Sequence, residues 1–155
     1  MPDKRLTEII NIAIKREEQA YVFYMDLYDK VDDSGVKGTL EWIAGEEVKH
    51  KQFLMRYREG QLGQDTLRMT DVVYYNIAEH QKEPDIEASI KPEDVFLVAA
   101  HRELRSHQFY TELAQLHPQG DTHEMLLKIA NEELKHKEKM EYLYANTAFP
   151  QTSGG

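Results

Sequence analysis

The sequence predicts an all-α fold, a single-domain bundle of four helices. Four segments of the 155-residue chain repeat apolar residues every three or four positions, which is the spacing of one helix face, and none alternates convincingly with the period of a strand. The length suits one domain, because domains of about 100 to 200 residues are typical. Two short turn-forming stretches and one long connection separate the segments. We therefore expect two antiparallel helix hairpins joined by a crossover.

The first hairpin is predicted over residues 6–58, with helices at 6–29 and 36–58 and a turn of Asp, Ser and Gly residues between them. Each helix has one inward stripe that is apolar except at ionisable positions. The stripe of the first helix consists of Ile10, Ala13, Glu17, Ala20, Tyr24 and Leu27. The stripe of the second consists of Leu40, Ile43, Glu47, His50, Leu54 and Tyr57.

The second hairpin is predicted over residues 92–145. Its first helix should begin at Pro92, because proline suits the first turn of a helix and the acidic Glu93 and Asp94 follow it. Its second helix is expected at 122–145, after a turn at 118–121. The two inward stripes are Phe96, Ala99, Glu103, Ser106, Tyr110 and Leu113, then Leu126, Ile129, Glu133, His136, Met140 and Leu143.

The connection over residues 59–91 is too long for a tight turn and suits a crossover that travels the length of the bundle. We expect an extra helical piece within it that covers the core or meets a partner, formed by Val72, Val73, Tyr74, Tyr75 and Ile77. The domain is expected to end at residue 146. Residues 147–155 are predicted to be a flexible tail without a fifth helix, because they are few, polar and rich in glycine at the end.

Composition excludes several classes of function. The absence of cysteine rules out thiolate zinc sites, cysteine-ligated iron–sulfur clusters and cysteine nucleophiles. A net charge of -9, from 28 acids against 19 Lys and Arg, argues against a nucleic-acid partner. The chain has no apolar run of the length that a membrane span needs and no secretory signal pattern at its N-terminus. We therefore expect a cytoplasmic protein without a membrane role.

An internal repeat relates the two hairpins. A shift of 86 residues places the first hairpin on the second without a gap. Residues 13–27 match 99–113, and residues 43–51 match 129–137, both at this same offset. The repeat preserves charged inward positions as well as apolar ones. The repeat pairs include Arg16 with Arg102, Glu17 with Glu103, Phe23 with Phe109, Tyr24 with Tyr110, Glu47 with Glu133 and His50 with His136.

These inward charges predict a two-metal centre. A buried carboxylate without partners costs several kcal/mol, so four of them need compensation, which two divalent cations would supply. Residues three apart lie on one helix face, so Glu47 with His50, and Glu133 with His136, can bind a common site. A Glu from each of two helices with a Glu-x-x-His from each of two others is the ligand set of di-metal bundles. The predicted metal ligands are Glu17, Glu47, His50, Glu103, Glu133 and His136.

Other polar residues near these positions have simpler interpretations. The heptad phase of Glu18, Glu46 and Glu132 points them away from the seam, so we expect solvated helix charges. Histidines without a repeat partner are interpreted as surface or packing residues, and only one of them, His107, is left open as a residue that approaches the metals. These histidines are His80, His101, His107, His117 and His123.

Tyr24 and Tyr110 lie two turns beyond Glu17 and Glu103 on the same faces. Two interpretations stay open for them. They could simply pack in the core. Alternatively, each phenol could donate a hydrogen bond to a metal-bound carboxylate and so assist the chemistry by fixing the orientation of that carboxylate.

The motifs around Glu17, Glu103 and the two EExKH blocks at 46–50 and 132–136 resemble those of the ferritin-like superfamily, and within it the rubrerythrin-like di-iron carboxylate proteins. The resemblance implies that Glu17 and His50 are terminal ligands of one iron. It implies that Glu103 and His136 are those of the other, with bridging carboxylates Glu47 and Glu133.

The chain departs from that family pattern in three ways. The family's full-length members carry a cysteine-ligated iron domain, which a chain without cysteine lacks. Ser106 stands where they have an additional glutamate, which puts in doubt the ligand switching attributed to that residue. The tail is too short for the fifth helix of cage-forming ferritins, so a homodimer is expected in place of a storage cage.

The resemblance implies a redox protein that binds two iron ions, with manganese or zinc as possible substitutes, and reduces peroxide or dioxygen. Its electrons would come from a separate donor protein. One alternative is a non-enzymatic module that binds or handles iron. Another is a structural bundle with accidental inward charges. A third is an enzyme that oxygenates an organic substrate, which would need an apolar pocket beside the metals.

Overall fold

The computed structural model describes residues 4–61, 72–117 and 120–149. These residues form four helices and no strand, so the all-α prediction is confirmed. The helices are α1 (Lys4–Tyr28), α2 (Ser34–Arg58), α3 (Pro92–Gln115) and α4 (Asp121–Ala148). Helix α1 packs closely on α2, and α3 packs closely on α4, as expected for two hairpins of a bundle.

Local signals in the sequence set where the helices begin. The Asp33 carboxylate accepts a hydrogen bond from the Val36 backbone N–H at 3.0 Å and so caps the start of α2. Lys37 donates from its Nζ to the Tyr28 carbonyl oxygen at 2.8 Å, which ties the start of α2 to the end of α1. Helix α3 begins at Pro92 with two acidic residues in its first turn, as the sequence predicts.

The core consists of two apolar clusters with a layer of ionisable residues between them. One cluster contains Tyr24 and Leu40 and fills the end of the bundle where α3 begins. The other contains Ile10 and Leu126 and fills the opposite end. On each helix, the inward glutamate lies between residues of the two clusters. The apolar clusters thus enclose the ionisable layer on both sides.

The described part of the crossover is not helical at residues 72–77, so the predicted extra helical piece is wrong there. Two backbone N–H groups of this segment donate to carboxylates of α4. Tyr75 N–H donates to Glu138 at 2.6 Å, and Ile77 N–H donates to Glu141 at 2.9 Å. Asn76 between them has a φ of 55°, a left-handed conformation that asparagine tolerates.

The ends of the predicted elements also need correction. Helix α4 continues past the predicted end at 145 to Ala148, so the first residues of the expected tail are helical. The rest of the tail from residue 150, the crossover residues 62–71 and the turn residues 118–119 lie outside the described residues. Within the described part of the chain, no helix combines the length and the apolar character needed to cross a membrane.

Candidate metal centre

All six predicted metal ligands meet in the ionisable layer of the bundle. Helices α1 and α3 contribute Glu17 and Glu103, and helices α2 and α4 each contribute a glutamate and a histidine. Every one of the six is buried, with no more than 8% of its surface exposed. The inward stripe of each helix passes through this layer. Carboxylates and imidazoles at these inward positions therefore lie close together.

The ligands form two overlapping groups of four. One group is Glu17, Glu47, His50 and Glu133, and the other is Glu47, Glu103, Glu133 and His136. Within each group, one oxygen or ring nitrogen from every residue lies within 4.8 Å of the others. Glu47 and Glu133 belong to both groups. The internal repeat exchanges one group for the other.

The distances show how closely the histidines approach the carboxylates. His50 Nδ1 lies 2.9 Å from Glu133 Oε1 and 3.6 Å from Glu17 Oε1. His136 Nδ1 lies 3.7 Å from Glu47 Oε1 and 3.9 Å from Glu103 Oε2. The two imidazole rings stack with centroids 5.9 Å apart. Both Nδ1 atoms therefore face the same small volume as the carboxylate oxygens.

The polar atoms that face this volume lack hydrogen-bond partners. Buried polar atoms in proteins are almost always hydrogen-bonded, so a cluster of exceptions needs an explanation. The exceptions here are Glu17 Oε2, Glu47 Oε1, His50 Nδ1, Glu103 Oε2, both Glu133 carboxylate oxygens and His136 Nδ1. Oxygen and imidazole donors bind iron, manganese and zinc. The residues present therefore fit two divalent metal ions.

Crowding of the carboxylates changes their proton affinity. Burial, together with the nearby Glu103 and Glu133, raises the pKa of Glu47 well above its usual value. Burial and the nearby Glu103 and Glu17 likewise raise the pKa of Glu133. Burial also acts on Glu17, but hydrogen bonds with Glu47 and His50 outweigh it and lower the pKa of Glu17. The two shared carboxylates thus bind protons more tightly than an ordinary glutamate, and a metal would have to displace any proton they carry.

The two histidines differ in the metal-free protein. Burial lowers the pKa of His50, but contacts with Glu132, Glu133 and Glu17 outweigh burial and raise it well above the usual value. For His136, burial dominates and lowers the pKa. The repeat therefore places equivalent rings in unequal electrostatic surroundings.

Each of the two repeat-related tyrosines binds the glutamate of the opposite hairpin. Tyr24 OH donates to Glu103 Oε1 at 2.7 Å, and Tyr110 OH donates to Glu17 Oε1 at 2.5 Å. Burial and the adjacent carboxylates raise the pKa of both phenols well above the usual value, so both remain protonated donors. The structure thus shows the hydrogen bonds that one of the two sequence interpretations requires. Their role toward a bound metal stays a prediction.

Two repeat-related arginines each stack on a phenylalanine of the opposite hairpin. The Arg16 guanidinium lies over the Phe109 ring at 4.6 Å, and the Arg102 guanidinium lies over the Phe23 ring at 4.7 Å. Each contact joins the two hairpins across the bundle. The sequence shows these residues as repeat pairs but does not reveal that they contact each other.

Glu132 departs from the expectation of a solvated helix charge. Its Oε2 lies 3.3 Å from His50 Nε2, and the side chain is only 25% exposed. A carboxylate behind a metal-binding histidine holds the ring in orientation and raises its basicity. Glu18 fits the expectation, because it is 53% exposed and pairs with Lys51 at 3.8 Å. Glu46, the repeat partner of Glu132, is only 22% exposed although it pairs with Lys49 at 3.7 Å, so it also departs from the expectation. The sequence signal for Glu132 was weak, since its helical phase points outward.

The remaining histidines that bind nearby groups do so away from the six ligands. His107 Nδ1 lies 2.8 Å from the Ala130 carbonyl oxygen, so the residue left open by the sequence packs against α4. His123 Nδ1 lies 2.7 Å from the Ala114 carbonyl oxygen. Neither histidine belongs to a metal-binding group among the described residues.

The single tryptophan lies beside the centre, which the sequence could not show. The Trp42 ring meets the His136 ring edge to face, with centroids 5.4 Å apart. Its other side reaches the surface, where Lys139 Nζ lies 4.0 Å from the ring centroid. Trp42 is therefore a natural fluorescent reporter of events at His136.

Comparison with protein-family models, with curated proteins and with solved structures finds no match for this chain. The resemblance to rubrerythrin-like proteins therefore remains a prediction from the motifs.

Proposed function

We propose that this chain is a rubrerythrin-like di-iron carboxylate protein of the ferritin-like superfamily that reduces peroxide or dioxygen. The observation that carries the proposal is the pair of buried four-residue groups that share Glu47 and Glu133. The order of the elements, with a long connection between two packed helix pairs, supports a ferritin-like topology.

The ligand assignment follows the two groups. Glu17 and His50 would hold one ion, Glu103 and His136 would hold the other, and the two remaining glutamates would be shared. A bound pair of irons would supply two electrons and open coordination positions for the reduction of an O–O bond. Since the chain has no cysteine for an iron–sulfur relay, the electrons would be replenished by a separate donor protein.

The chain's own residues support this chemistry by holding the ligands in place. Tyr24 and Tyr110 fix the carboxylates of Glu103 and Glu17 through short hydrogen bonds. Glu132 lies behind His50, with its Oε2 3.3 Å from His50 Nε2. The apolar clusters on both sides keep bulk water from the ionisable layer, which strengthens the electrostatic interactions within it.

Metal binding and redox activity can be tested in sequence on the full chain. Anaerobic addition of Fe(II) to metal-free protein should change Trp42 fluorescence and saturate at two irons per chain, measured by mass spectrometry. Addition of peroxide should then oxidise the iron, seen as an ultraviolet absorbance increase, and consume peroxide in each turnover with a reductant. If two irons bind but neither peroxide nor oxygen oxidises them, the redox proposal fails and the metal-binding inference stands.

A double variant separates this proposal from its alternatives. Glu47→Gln with Glu133→Gln removes both shared carboxylates and should abolish metal binding, whereas Glu8→Gln with Glu18→Gln removes two exposed carboxylates and should not. Unchanged metal content in the first variant would instead support a purely structural bundle. Accumulation of many irons per chain would favour iron handling, and sedimentation would show whether the protein is the expected homodimer.

A further inference from the structure

An apolar recess opens on the surface between α1 and α2. It has a volume of about 260 Å³, and its inner wall includes Glu17 of the first ligand group. The rest of its lining is formed by Glu18, Tyr21, Val22, Val48 and Lys51. The recess therefore reaches from the solvent to one residue of the candidate metal centre.

The repeat-related positions of the second hairpin have different surroundings. Leu134 replaces Val48 at the repeat-related position and is buried. His107 replaces Tyr21, and its ring is held against the Ala130 carbonyl oxygen. A shallow hollow next to His107 and Gln108 is lined by polar residues further along α3 and does not include Glu103.

The crossover accounts for much of this asymmetry. Lys137, the repeat partner of Lys51, is fully buried and lies 2.7 Å from Glu79 of the crossover. Lys51 itself is 36% exposed at the edge of the recess. Since described residues of the crossover lie against Lys137, the approach beside it is closed, whereas the recess beside Lys51 is open.

We propose that the recess binds a small, uncharged organic molecule with an apolar body, whose inner end lies beside Glu17. The apolar surfaces of Tyr21, Val22 and Val48 would contact the body of that molecule. The molecule should be uncharged because the exposed edge of the recess carries a charge of each sign, with Lys51 Nζ 3.8 Å from Glu18 Oε1. A ligand charge of either sign would be attracted by one of these groups and repelled by the other.

The role of a molecule bound beside Glu17 rests on the proposed function. Under that function, the recess is the site of an organic hydroperoxide, whose O–O bond would be reduced to an alcohol and water with two electrons from the donor protein and two protons. Binding itself needs no metal, because the walls belong to the protein. The recess can therefore be tested on the metal-free chain.

The test is a titration of metal-free, full-length protein with benzyl alcohol, followed by amide NMR shifts. Saturable shifts should centre on Tyr21, Val22 and Val48. Benzoate and benzylamine, which match the ring but carry a charge, should bind at least about tenfold more weakly, since each would bring an unpaired charge into an apolar site. The absence of saturable shifts, or saturation centred elsewhere, would overturn the proposal.

Two filling variants and one control complete the test. Val22→Phe should remove the saturable shifts, and it should fold because Val22 is 55% exposed. Val48→Phe fills the recess from the opposite wall and should do the same. Gln108→Phe, at the repeat-related position of Val22, should leave the affinity within about twofold. Unchanged affinity in both filling variants would refute the site.

The two proposals fail in distinguishable ways. If benzyl alcohol binds but metal does not, the recess proposal is supported and the di-iron function is refuted. If two irons bind but benzyl alcohol does not, the di-iron proposal stands and the recess proposal is refuted.

Discussion

At the scale of single residues, the centre depends on inward positions occupied by ionisable groups in place of apolar ones. Glu17 and Glu103 occupy the same stripes as Ala13 and Ala99, and both are almost fully buried. Each retains one hydrogen bond from a tyrosine of the other hairpin while its second oxygen is unpartnered. Such a carboxylate is positioned and yet available, which suits a metal ligand.

The tyrosine hydroxyls can be removed one at a time. Tyr110→Phe should destabilise the metal-free protein by about 1–3 kcal/mol, because the buried Glu17 loses its donor. It should also weaken metal binding by about 10–100-fold. Tyr24→Phe should have a similar effect through Glu103. Thermal unfolding with and without Zn(II) measures both quantities.

The control for these variants is Tyr142→Phe, which removes an exposed hydroxyl and should change neither quantity. Metal affinity that is unchanged in both buried variants would reduce Tyr24 and Tyr110 to packing residues.

At the scale of elements, two faces of α4 make different contacts. One face carries the candidate metal ligands Glu133 and His136, and the other binds the crossover. Lys137 is fully buried there, with Nζ 2.7 Å from Glu141 and 2.8 Å from Glu138. Burial lowers the pKa of Lys137, but these carboxylates and Glu79 outweigh burial and raise it above its usual value.

Glu141 links this ion cluster to the crossover backbone. Its carboxylate accepts hydrogen bonds from the Ile77 and Ala78 N–H groups, both at 2.9 Å. Glu141→Gln should lower the free energy of unfolding by about 3 kcal/mol, because it disrupts a buried ion cluster. Hydrogen exchange at Ile77 and Ala78 should accelerate in the same variant. Both are measurable by NMR and urea unfolding.

Glu87→Gln neutralises an exposed carboxylate of the same crossover and should leave stability within about 0.5 kcal/mol. If Glu141→Gln were equally mild, the crossover would be held by its apolar contacts, such as that of Ala78 with the core.

At the scale of the whole molecule, the two hairpins complete each other. The tyrosine–glutamate hydrogen bonds and the arginine–phenylalanine contacts all run between hairpins. Each ligand group also takes residues from both hairpins. Neither hairpin alone contains the centre, and the metal-free protein must therefore hold all four carboxylates together against their repulsion.

This repulsion makes the stability of the metal-free protein depend on pH. Folding raises the pKa of Glu47 and Glu133 above the usual 4.5 and that of His50 above 6.5. A raised pKa contributes stability below the unfolded value and loses it as pH rises through the folded value. Urea midpoints of metal-free protein should therefore fall from about pH 5 to about pH 8, because these three groups outnumber His136, whose lowered pKa acts in the opposite direction.

Metal should reverse this trend, because ligands must lose their protons to bind it. Zn(II) at about 100 times its dissociation constant should add about 2.7 kcal/mol of stability, and the gain should grow with pH. In the double variant Glu47→Gln with Glu133→Gln, the loss of stability with rising pH and the stabilisation by Zn(II) should both largely disappear. A metal-free protein whose stability rises over this range would contradict the assignment of protons to the shared carboxylates.

Much of this protein could be predicted from sequence because periodicity and repetition report directly on helix faces. The inward stripes placed Glu17, His50 and Glu133 in the interior, and the structure brings all six candidate ligands into one layer. Prediction was poorer where an interaction partner comes from a distant segment. Residues 72–77 looked helical from their apolar content, yet their N–H groups bind Glu138 and Glu141.

By itself, the sequence determined the all-α class, the four helices, the repeat of 86 residues and the candidate metal ligands, because these follow from local spacing along one chain. Only the tertiary structure decided that Tyr24 and Tyr110 donate across hairpins, that Glu132 lies behind His50, and that described crossover residues bind α4 while a recess is open beside α1 and α2. These features depend on distances between helices, which no helical periodicity encodes.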